Sequence, residues 1–253
     1  MDTINNYADF EENLRREIVN AAESLHESGM SFAVFDKAKC NPDYWNLTSN
    51  GGWTLKQGVK PSSAIADIYE NGYKYATECA TALEIVYYKA ILEVYGTDLF
   101  DKTFKQIYLM DWDVRDPLLS KIGTLSDLVP PDELQVGDRA YFANPDHSAD
   151  LPQWQGENVI VLDKDRFYGH GLGISDGEDI ISALNGRRKS GSSQSAYLMN
   201  KSGRPDFRRL ADIMLGQGER AVTVWREFPT AVLAGRAESK NGFVHIHESR
   251  MFV

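Results

Sequence analysis

The longest regular pattern in the sequence is an apolar stripe over residues 78–95. Its apolar residues recur at every third or fourth position, and the stripe stops at Gly96, the residue type that most often ends a helix. We predict a helix over this range and expect it to be the central, most buried helix of the fold. The stripe consists of Cys79, Ala82, Leu83, Val86, Tyr87, Ala90, Ile91 and Val94.

Shorter stretches of helical periodicity lie on both sides of this helix. The first stops at Gly29, the second follows a proline and two serines, and the last ends at Gly216, which are ordinary start and stop signals. The helices predicted in this way cover residues 10–25, 64–70, 179–184 and 207–215.

After Gly96 the apolar period changes from that of a helix to that of strands. We predict that four short apolar runs form successive strands of one sheet, and that residues 31–35 and 40–58 form turns and short strands. The final residues, 221–228 and 243–253, also have strand character. We therefore predict an α+β fold with a main domain at 1–200 and a carboxy-terminal extension at 201–253 packed on it. The four runs are 106–112, 138–142, 158–162 and 167–174.

The charge balance and the two cysteines exclude several classes of protein. The chain has 27 Lys and Arg against 37 Asp and Glu, and a formal net charge of -10 opposes binding to the phosphates of nucleic acids. The amino terminus lacks the features of a signal peptide, and charged residues interrupt the most apolar helix, so we expect cytoplasmic synthesis and no membrane association. Cys40 and Cys79 alone form neither a disulfide framework nor a cysteine metal site.

Cys79 stands in the first turn of the predicted central helix. The free N–H groups and the dipole at a helix start stabilise a thiolate, which a nucleophilic cysteine requires. Thr77, just before it, has the hydroxyl that helix caps use. The alternative is a small buried side chain that packs beside Ala82 and Leu83.

Two residues are candidate bases for this cysteine, since a cysteine helix followed by strands that carry a base is the order of papain-like enzymes. His170 lies between two glycines in a predicted strand, which allows close approach of another backbone. Glu157 directly precedes an apolar strand, and burial there raises a carboxyl pKa towards neutrality. The alternative for His170 is a histidine that packs in the core, and the alternative for Glu157 is a charged side chain exposed to solvent. Glu78 is ambiguous too, because acidic residues are common at helix starts.

Around these residues the chain resembles the small protein-glutamine gamma-glutamyltransferases of spore-forming bacilli, the spore-coat transglutaminases. Three blocks carry the resemblance in the family's order, and weaker similarity spans most of the chain up to Leu198. From residue 200 onwards we expect no counterpart in the family. The blocks are Tyr75-Ala76-Thr77-Glu78-Cys79-Ala80-Thr81-Ala82, Gln153-Trp154-Gln155-Gly156-Glu157-Asn158-Val159-Ile160 and His170-Gly171-Leu172-Gly173-Ile174.

The resemblance implies a compact papain-like fold of the bacterial cell-wall peptidase type, in which the cysteine helix packs on an antiparallel sheet. It implies that Cys79 is the nucleophile, Glu157 its acid-base partner and Glu78 an auxiliary acid that can partly substitute. It places His170 beside the site without making it the principal base. Aromatic residues line the tunnel where the substrates meet, and we expect five substrate-binding residues: Phe32, Trp112, Trp154, Asp111 and Asn158.

The implied reaction joins protein glutamine and lysine side chains in an isopeptide bond through a cysteine thioester. It needs no calcium, metal or other cofactor, and the chain has no phosphate-binding loop or cysteine-rich metal motif. The expected partners are proteins that present glutamine and lysine, with location in the spore coat implied by the resemblance. The sequence does not predict an oligomeric state.

Other functions remain compatible with the sequence. One is a cysteine hydrolase on the same fold, a peptidase or glutamine deamidase, with His170 as the base. Another is a scaffold protein without activity that binds partners through its carboxy-terminal extension. A third feature is the pair His245 and His247, which would face the same side of a strand and could hold a metal.

Overall fold

Helices and short strands alternate along the chain in the computed structural model, which describes residues 4–125, 127–128 and 131–216. The strand predictions for 221–228 and 243–253, and the pair His245 and His247, lie outside the described residues. The helices are α1 (Tyr7–Glu27), α2 (Pro61–Glu70), α3 (Cys79–Thr103), α4 (Gly177–Asn185) and α5 (Phe207–Met214). All five predicted helices are therefore confirmed, with ends shifted by a few residues.

The central helix α3 is longer than predicted. Gly96 has φ of 70° and ψ of 164°, a conformation that only glycine adopts readily, and the chain resumes helical geometry beyond it up to Thr103. The predicted stop is thus a kink. The second half continues because Phe100 and Phe104 pack with Tyr88 in a cluster of edge-to-face and tilted rings.

The strands form four separate sheets. The largest is antiparallel with the order β10-β9-β8-β7-β11, a second has the order β2-β3-β5, β12 pairs with β6, and β1 pairs in parallel with β4. The strands are β1 (Ser31–Phe32), β2 (Trp45–Leu47), β3 (Trp53–Leu55), β4 (Ala76–Thr77), β5 (Tyr108–Leu109), β6 (Asp127–Leu128), β7 (Arg139–Ala143), β8 (Gly156–Asp163), β9 (Arg166–Gly169), β10 (Gly173–Ser175), β11 (Tyr197–Leu198) and β12 (Lys201–Ser202).

Two details of the strand prediction are wrong. The run 106–112 does not join the main sheet, because β5 pairs with β3, where Leu109 lies opposite the buried Trp53. The run 167–174 is two strands, β9 and β10, because Gly171 and Gly173 have positive φ and turn the chain back on itself. His170 consequently lies at the end of a strand.

The core has two layers on opposite faces of the main sheet. Alternate residues of β8 point to opposite faces, so that Ile160 and Leu162 belong to the large core around α3, and Val159 and Val161 to a smaller core beneath α4. Helices α1 and α2 pack on α3, which itself packs on β8. The expected α+β arrangement, with the Cys79 helix against an antiparallel sheet, is confirmed.

The predicted domain division at residue 200 falls inside this body. The described residues belong to one compact unit, and α5 packs on α1 with Phe207, Leu210 and Ala211 buried. Among the described residues, no helix is both long and apolar enough to cross a membrane.

Candidate active site

Cys79 is the first residue of α3, and the residue before it is the helix cap. The carboxylate of Glu78 accepts hydrogen bonds from the backbone N–H groups of Ala80 at 2.5 Å and Thr81 at 2.8 Å. The prediction of Thr77 as the cap is wrong, because the longer carboxylate reaches both free N–H groups and its charge complements the helix dipole. The backbone donors expected to stabilise a thiolate are therefore shared with a negative charge.

The thiol of Cys79 sits in a site with two carboxyl groups. Burial, followed by the charges of Glu157 and Glu78, raises the pKa of Cys79, and a hydrogen bond from Asn158 lowers it. The helix start alone does not decide the protonation of this thiol. Its surroundings do, because each negative charge in a buried site opposes the ionisation of the next.

Glu157 lies on β8 with only 5% of its surface exposed. Its Oε1 has no hydrogen-bond partner among the described residues, and a Cβ built at Gly169 would stand 2.8 Å from that oxygen. Burial, and then the charge of Glu78, raises the pKa of Glu157 well above the usual range of a glutamate. Both effects favour the protonated carboxyl, which is the form able to donate a proton.

The two carboxyl groups differ in their hydrogen bonds. Burial also raises the pKa of Glu78, but the bonds from Thr81 and Ala80 oppose that effect. Oε1 of Glu157 has no such hydrogen bond among the described residues. The hydrogen bonds therefore favour the charged form of Glu78, and burial without them favours the protonated form of Glu157.

Asn158 follows Glu157 on β8, and its side chain reaches the start of α3. Its amide Nδ2 donates to Cys79 Sγ across 3.4 Å. Its amide oxygen accepts two hydrogen bonds from Arg139 on β7, from Nε at 3.0 Å and from Nη2 at 2.7 Å. Asn158, predicted as a substrate-binding residue, therefore touches the nucleophile itself.

Arg139 is a buried cation, with 4% of its surface exposed. It donates to the carbonyl of Ile122 at 2.6 Å, and its guanidinium lies 3.6 Å from the centre of the Trp112 ring. Burial lowers the pKa of Arg139 to about 10, so the side chain is still charged at neutral pH. Trp112 is held against this cation.

The loop that carries Trp112 is tied to the first turn of α3. Asp111 has φ of 49°, a left-handed conformation that aspartate tolerates, and its backbone N–H donates to the Thr81 hydroxyl at 2.8 Å. The structure thus brings Asp111 and Trp112 to the site, as predicted for both. Burial raises the pKa of Asp111.

Phe32 and His170 lie together next to the cysteine. Phe32 pairs in register with Thr77, two residues before Cys79, and its ring, 40% exposed, is 6.2 Å from that of His170. His170 Nε2 lies 3.2 Å from the carbonyl of Ser31, so it carries the proton and donates. Nδ1 then accepts from the Tyr168 hydroxyl at 3.1 Å.

Both ring nitrogens of His170 are therefore engaged, and burial lowers its pKa to about 4. Its neutral ring has no lone pair free to take a proton from a thiol. This arrangement favours Glu157 over His170 as the partner of the cysteine.

Trp154 lies in the turn before β8, with contacts that differ from the tunnel position expected. Its half-buried ring packs on the smaller core beneath α4, Arg187 stands 4.8 Å above the ring, and its carbonyl accepts from Asn144. Its place three residues before Glu157 keeps it near the site, on the α4 side of the sheet.

Two residues of the site were missed in the sequence, both on β7. Arg139 and Tyr141 alternate with the buried Ala140 and Phe142, so they share the face of the sheet that looks towards α3. Burial and the charges of Cys79 and Glu157 raise the pKa of Tyr141 to about 12. An arginine in an otherwise apolar strand was the signal that could have identified this face.

Comparison with known proteins identifies the family to which most of the chain is similar. The profile of a family described as protein-glutamine gamma-glutamyltransferase matches residues 4–214. The expectation of no counterpart beyond residue 200 is therefore wrong for residues 200–214, which the match includes.

Proteins with that name are also similar in sequence and structure. The one from Halalkalibacterium halodurans is 44% identical over 191 residues, which are 76% of this chain and 65%, less than two thirds, of that protein. The one from Bacillus subtilis is 43% identical over 206 residues, 81% of each chain. The structure of a transglutaminase from Geobacillus stearothermophilus, without its C-terminal extension, matches with a TM-score of 0.73 at 40% identity, over 83% of this chain and 98% of that one.

Proposed function

Because the chain belongs to the protein-glutamine gamma-glutamyltransferase family, and so is a transferase that acts on protein-bound glutamine, we propose that it joins glutamine to lysine side chains through a thioester on Cys79. The observation that carries this proposal is the interaction of the half-buried Cys79 thiol with Glu157, a buried carboxyl whose pKa is raised well above its usual range and whose Oε1 has no hydrogen-bond partner among the described residues. A proton donor of this kind is what the departure of ammonia requires.

The thiol and the Glu157 carboxyl act as a pair that shares one proton. With two protons the sulfur is no nucleophile, and with none there is no acid for the leaving group, so the singly protonated pair is the active form. The thiolate of Cys79 attacks the carboxamide carbon, and the proton of Glu157 moves to the nitrogen. The C–N bond breaks, ammonia leaves, and a thioester and a Glu157 carboxylate remain.

The second half of the reaction restores this pair. As the lysine nitrogen bonds to the thioester carbon, the Glu157 carboxylate takes a proton from that nitrogen and the C–S bond breaks. This step regenerates the thiolate and the carboxylic acid. The lysine side chain arrives as an ammonium group, and its extra proton goes to the ammonia released in the first half, which leaves as ammonium. Glu78, the adjacent acid, acts as an auxiliary that partly substitutes for Glu157.

Transfer to lysine instead of water requires a dry approach to the thioester. We propose that Phe32, which pairs in register with Thr77, and Trp112, which stacks on Arg139, form the walls of the path for the lysine stem, with Asp111 at its edge and Trp154 on the glutamate side. The stem of lysine is apolar and packs well on aromatic rings. This is the arrangement expected of a papain-like fold modified for transfer.

We further propose that the reaction needs no calcium. The thiol, the two carboxyl groups and the Asn158 amide supply the nucleophile and the proton transfers without a Lewis acid. Incorporation in the presence of a strong chelator tests this directly, and a rate restored only by added calcium would contradict it.

The test of the activity is incorporation of a fluorescent primary amine into casein, with ammonia release measured in parallel. We expect Cys79→Ala to be inactive and Glu157→Gln to lose roughly 10²- to 10⁴-fold of the rate, because the proton transfer is lost. The double variant Glu78→Gln/Glu157→Gln should lose the residual rate. Cys40→Ala and Glu178→Gln, which change a distant thiol and an exposed carboxylate, serve as matched controls.

The same assay separates the competing functions. Ammonia release without amine incorporation would mean a deamidase, and loss of activity in His170→Ala with retention in Glu157→Gln would make histidine the base. No reaction with any amine, together with a Cys79 that alkylates no faster than Cys40, would favour the scaffold function.

The resemblance also implies a location in the spore coat. We propose coat proteins as substrates, and the experiment is the crosslinking of a coat extract with the wild-type protein and with Cys79→Ala. Absence of new high-mass products that depend on Cys79 would remove the coat from the proposal.

A further inference from the structure

The amide of Asn158 has only one possible orientation in this structure. A guanidinium has N–H donors and no acceptor, so the side-chain atom that faces Arg139 at 3.0 and 2.7 Å must be the oxygen. The amide nitrogen is thereby directed at Cys79 Sγ, 3.4 Å away. A flipped amide would place N–H groups against N–H groups and leave the sulfur facing an oxygen.

We propose that Arg139 is a positioning residue that locks Asn158 with its N–H donor on Cys79, and so stabilises the negative charge that the sulfur carries before attack and as a leaving group. This inference rests on the proposed function and adds to it a residue that acts through another. The active thiolate then has a fixed side-chain donor, beside the backbone N–H of Asn158, that the helix cap does not occupy.

Arg139 is itself held from three sides, which gives the lock its rigidity. The two bonds to Asn158 share its guanidinium with the bond to the Ile122 carbonyl at 2.6 Å, and the Trp112 ring covers its face at 3.6 Å. Such a fork is planar, and its donors are fixed relative to one another. A lysine at this position keeps the charge but does not offer the amide oxygen two donors that are fixed in one plane.

The charges around Cys79 explain why such a lock is needed. The thiol faces Glu78 from its own helix, Glu157 from β8, and Arg139 and Tyr141 from β7. The two carboxyl groups oppose a thiolate, and Arg139 is the cation in this set. Arg139 interacts with the charge of Cys79 directly and also fixes the amide of Asn158, so Arg139→Lys, which keeps the charge, isolates the effect of the amide orientation.

The experiment follows the thiolate of Cys79 without using the transferase reaction. In a Cys40→Ala background, which leaves one cysteine in the chain, the rate of alkylation by iodoacetamide is measured against pH. The variants are Arg139→Lys, Asn158→Ala and the double variant, with melting temperatures recorded for each. Arg15→Lys is the matched control, since Arg15 is also a mostly buried arginine with a structural ion pair, to Asp138.

We expect the midpoint of alkylation to move to higher pH by about one unit in both single variants, because the sulfur loses the donor that stabilises its charge. The double variant should shift no further than Asn158→Ala alone, since both residues act through the same hydrogen bond. Arg15→Lys should lower the melting temperature and leave the midpoint unchanged.

An unchanged midpoint in either folded single variant would overturn the proposal, and so would shifts that add in the double variant, because they would mean independent effects. If Arg139→Lys does not fold, Asn158→Ala tests whether the Asn158 amide stabilises the thiolate. Arg139→Gln, a second variant without the charge, then tests whether Arg139 is needed to hold that amide. Failure of the proposed function is recognised separately, as a wild-type protein whose Cys79 alkylates as expected but which incorporates no amine.

Discussion

At the scale of residues, the site is decided by three acidic groups that share one buried space. Burial raises the pKa of all three groups, the charge of Glu78 raises those of Cys79 and Glu157 further, and the charge of Glu157 raises that of Cys79. The hydrogen bonds that Glu78 accepts from backbone N–H groups and those that Asn158 donates to Cys79 have the opposite effect on those two groups. Burial, charge and hydrogen bonding, and not residue type alone, therefore set how readily each group ionises.

Removal of the Glu78 charge should move the pH profile of the enzyme. Its charge raises the pKa of both members of the Cys79–Glu157 pair, so in Glu78→Gln the first proton leaves the pair more easily. We expect the acid limb of kcat/KM to shift down by about one pH unit. Asp176→Asn, which removes the same kind of cap charge from α4, is the control, and an unchanged limb in Glu78→Gln would contradict the shared site.

A methyl group at Gly169 should displace the acid-base carboxyl. A Cβ there would lie 2.8 Å from Glu157 Oε1, and the φ of Gly169 is not in the left-handed region, so the backbone accepts alanine. We expect Gly169→Ala to lose roughly 10- to 100-fold in amine incorporation with little change in stability. Gly186→Ala, whose Cβ would meet nothing closer than 3.4 Å, should keep full activity.

At the scale of elements, α3 connects the site to the centre of the core. Its first turn carries Glu78 and Cys79, and Glu84 in the following turns is completely buried, with neither carboxyl oxygen bonded to a partner among the described residues. Burial raises the pKa of Glu84 well above the usual range, and nearby acidic charges add to this. The helix thus includes a carboxyl whose protonated form is favoured by folding.

Replacing this carboxyl should stabilise the protein. Since the folded pKa is raised, Glu84 disfavours folding at any pH above the unfolded value of about 4.3. We expect Glu84→Met to increase the free energy of unfolding at pH 8 by roughly 1–3 kcal/mol, with a smaller gain at pH 5, as measured by urea titration. Glu93→Gln on the same helix, where the side chain is half-exposed beside Lys89, should change little. A loss of stability in Glu84→Met at both pH values would contradict this.

At the scale of the whole molecule, one buried aspartate ties together segments that are far apart in the chain. Asp138, with no exposed surface, accepts from Arg15 on α1 at 3.0 Å and from Arg204, just before α5, at 2.6 Å. Next to it, Arg139 and Gly203 exchange backbone hydrogen bonds. We therefore propose that residues 201–216 are part of the catalytic body.

Loss of this charge should destabilise the whole fold. Asp138→Asn removes the buried counterion of Arg204 and leaves Arg15 paired with Glu11 alone, and we expect a loss of about 3–5 kcal/mol in the free energy of unfolding. Glu23→Gln, which breaks the exposed pair with Arg166, should cost no more than about 1 kcal/mol. Similar losses in the two variants would mean that Asp138 does not tie these segments together.

The helices, and the place of Cys79 at the start of the longest one, could be predicted from the sequence. Apolar spacing and glycine stops are local signals, and the periodicity of α1 and α3 does not depend on what covers them. The resemblance led to Glu157 for a similar reason, since its neighbours in the chain carry the pattern.

Pairing across the chain was decided by the tertiary structure. Leu109 joins Trp53 and not the main sheet, and Arg139 reaches Asn158 only because β7 lies beside β8. The properties of the site depend on such contacts, since the pKa of a group reflects burial and neighbouring charges that the linear order does not contain. The sequence by itself indicated Cys79 as the candidate nucleophile, and only the folded chain decided how far it is buried, which charges surround it and which side chain donates to the sulfur.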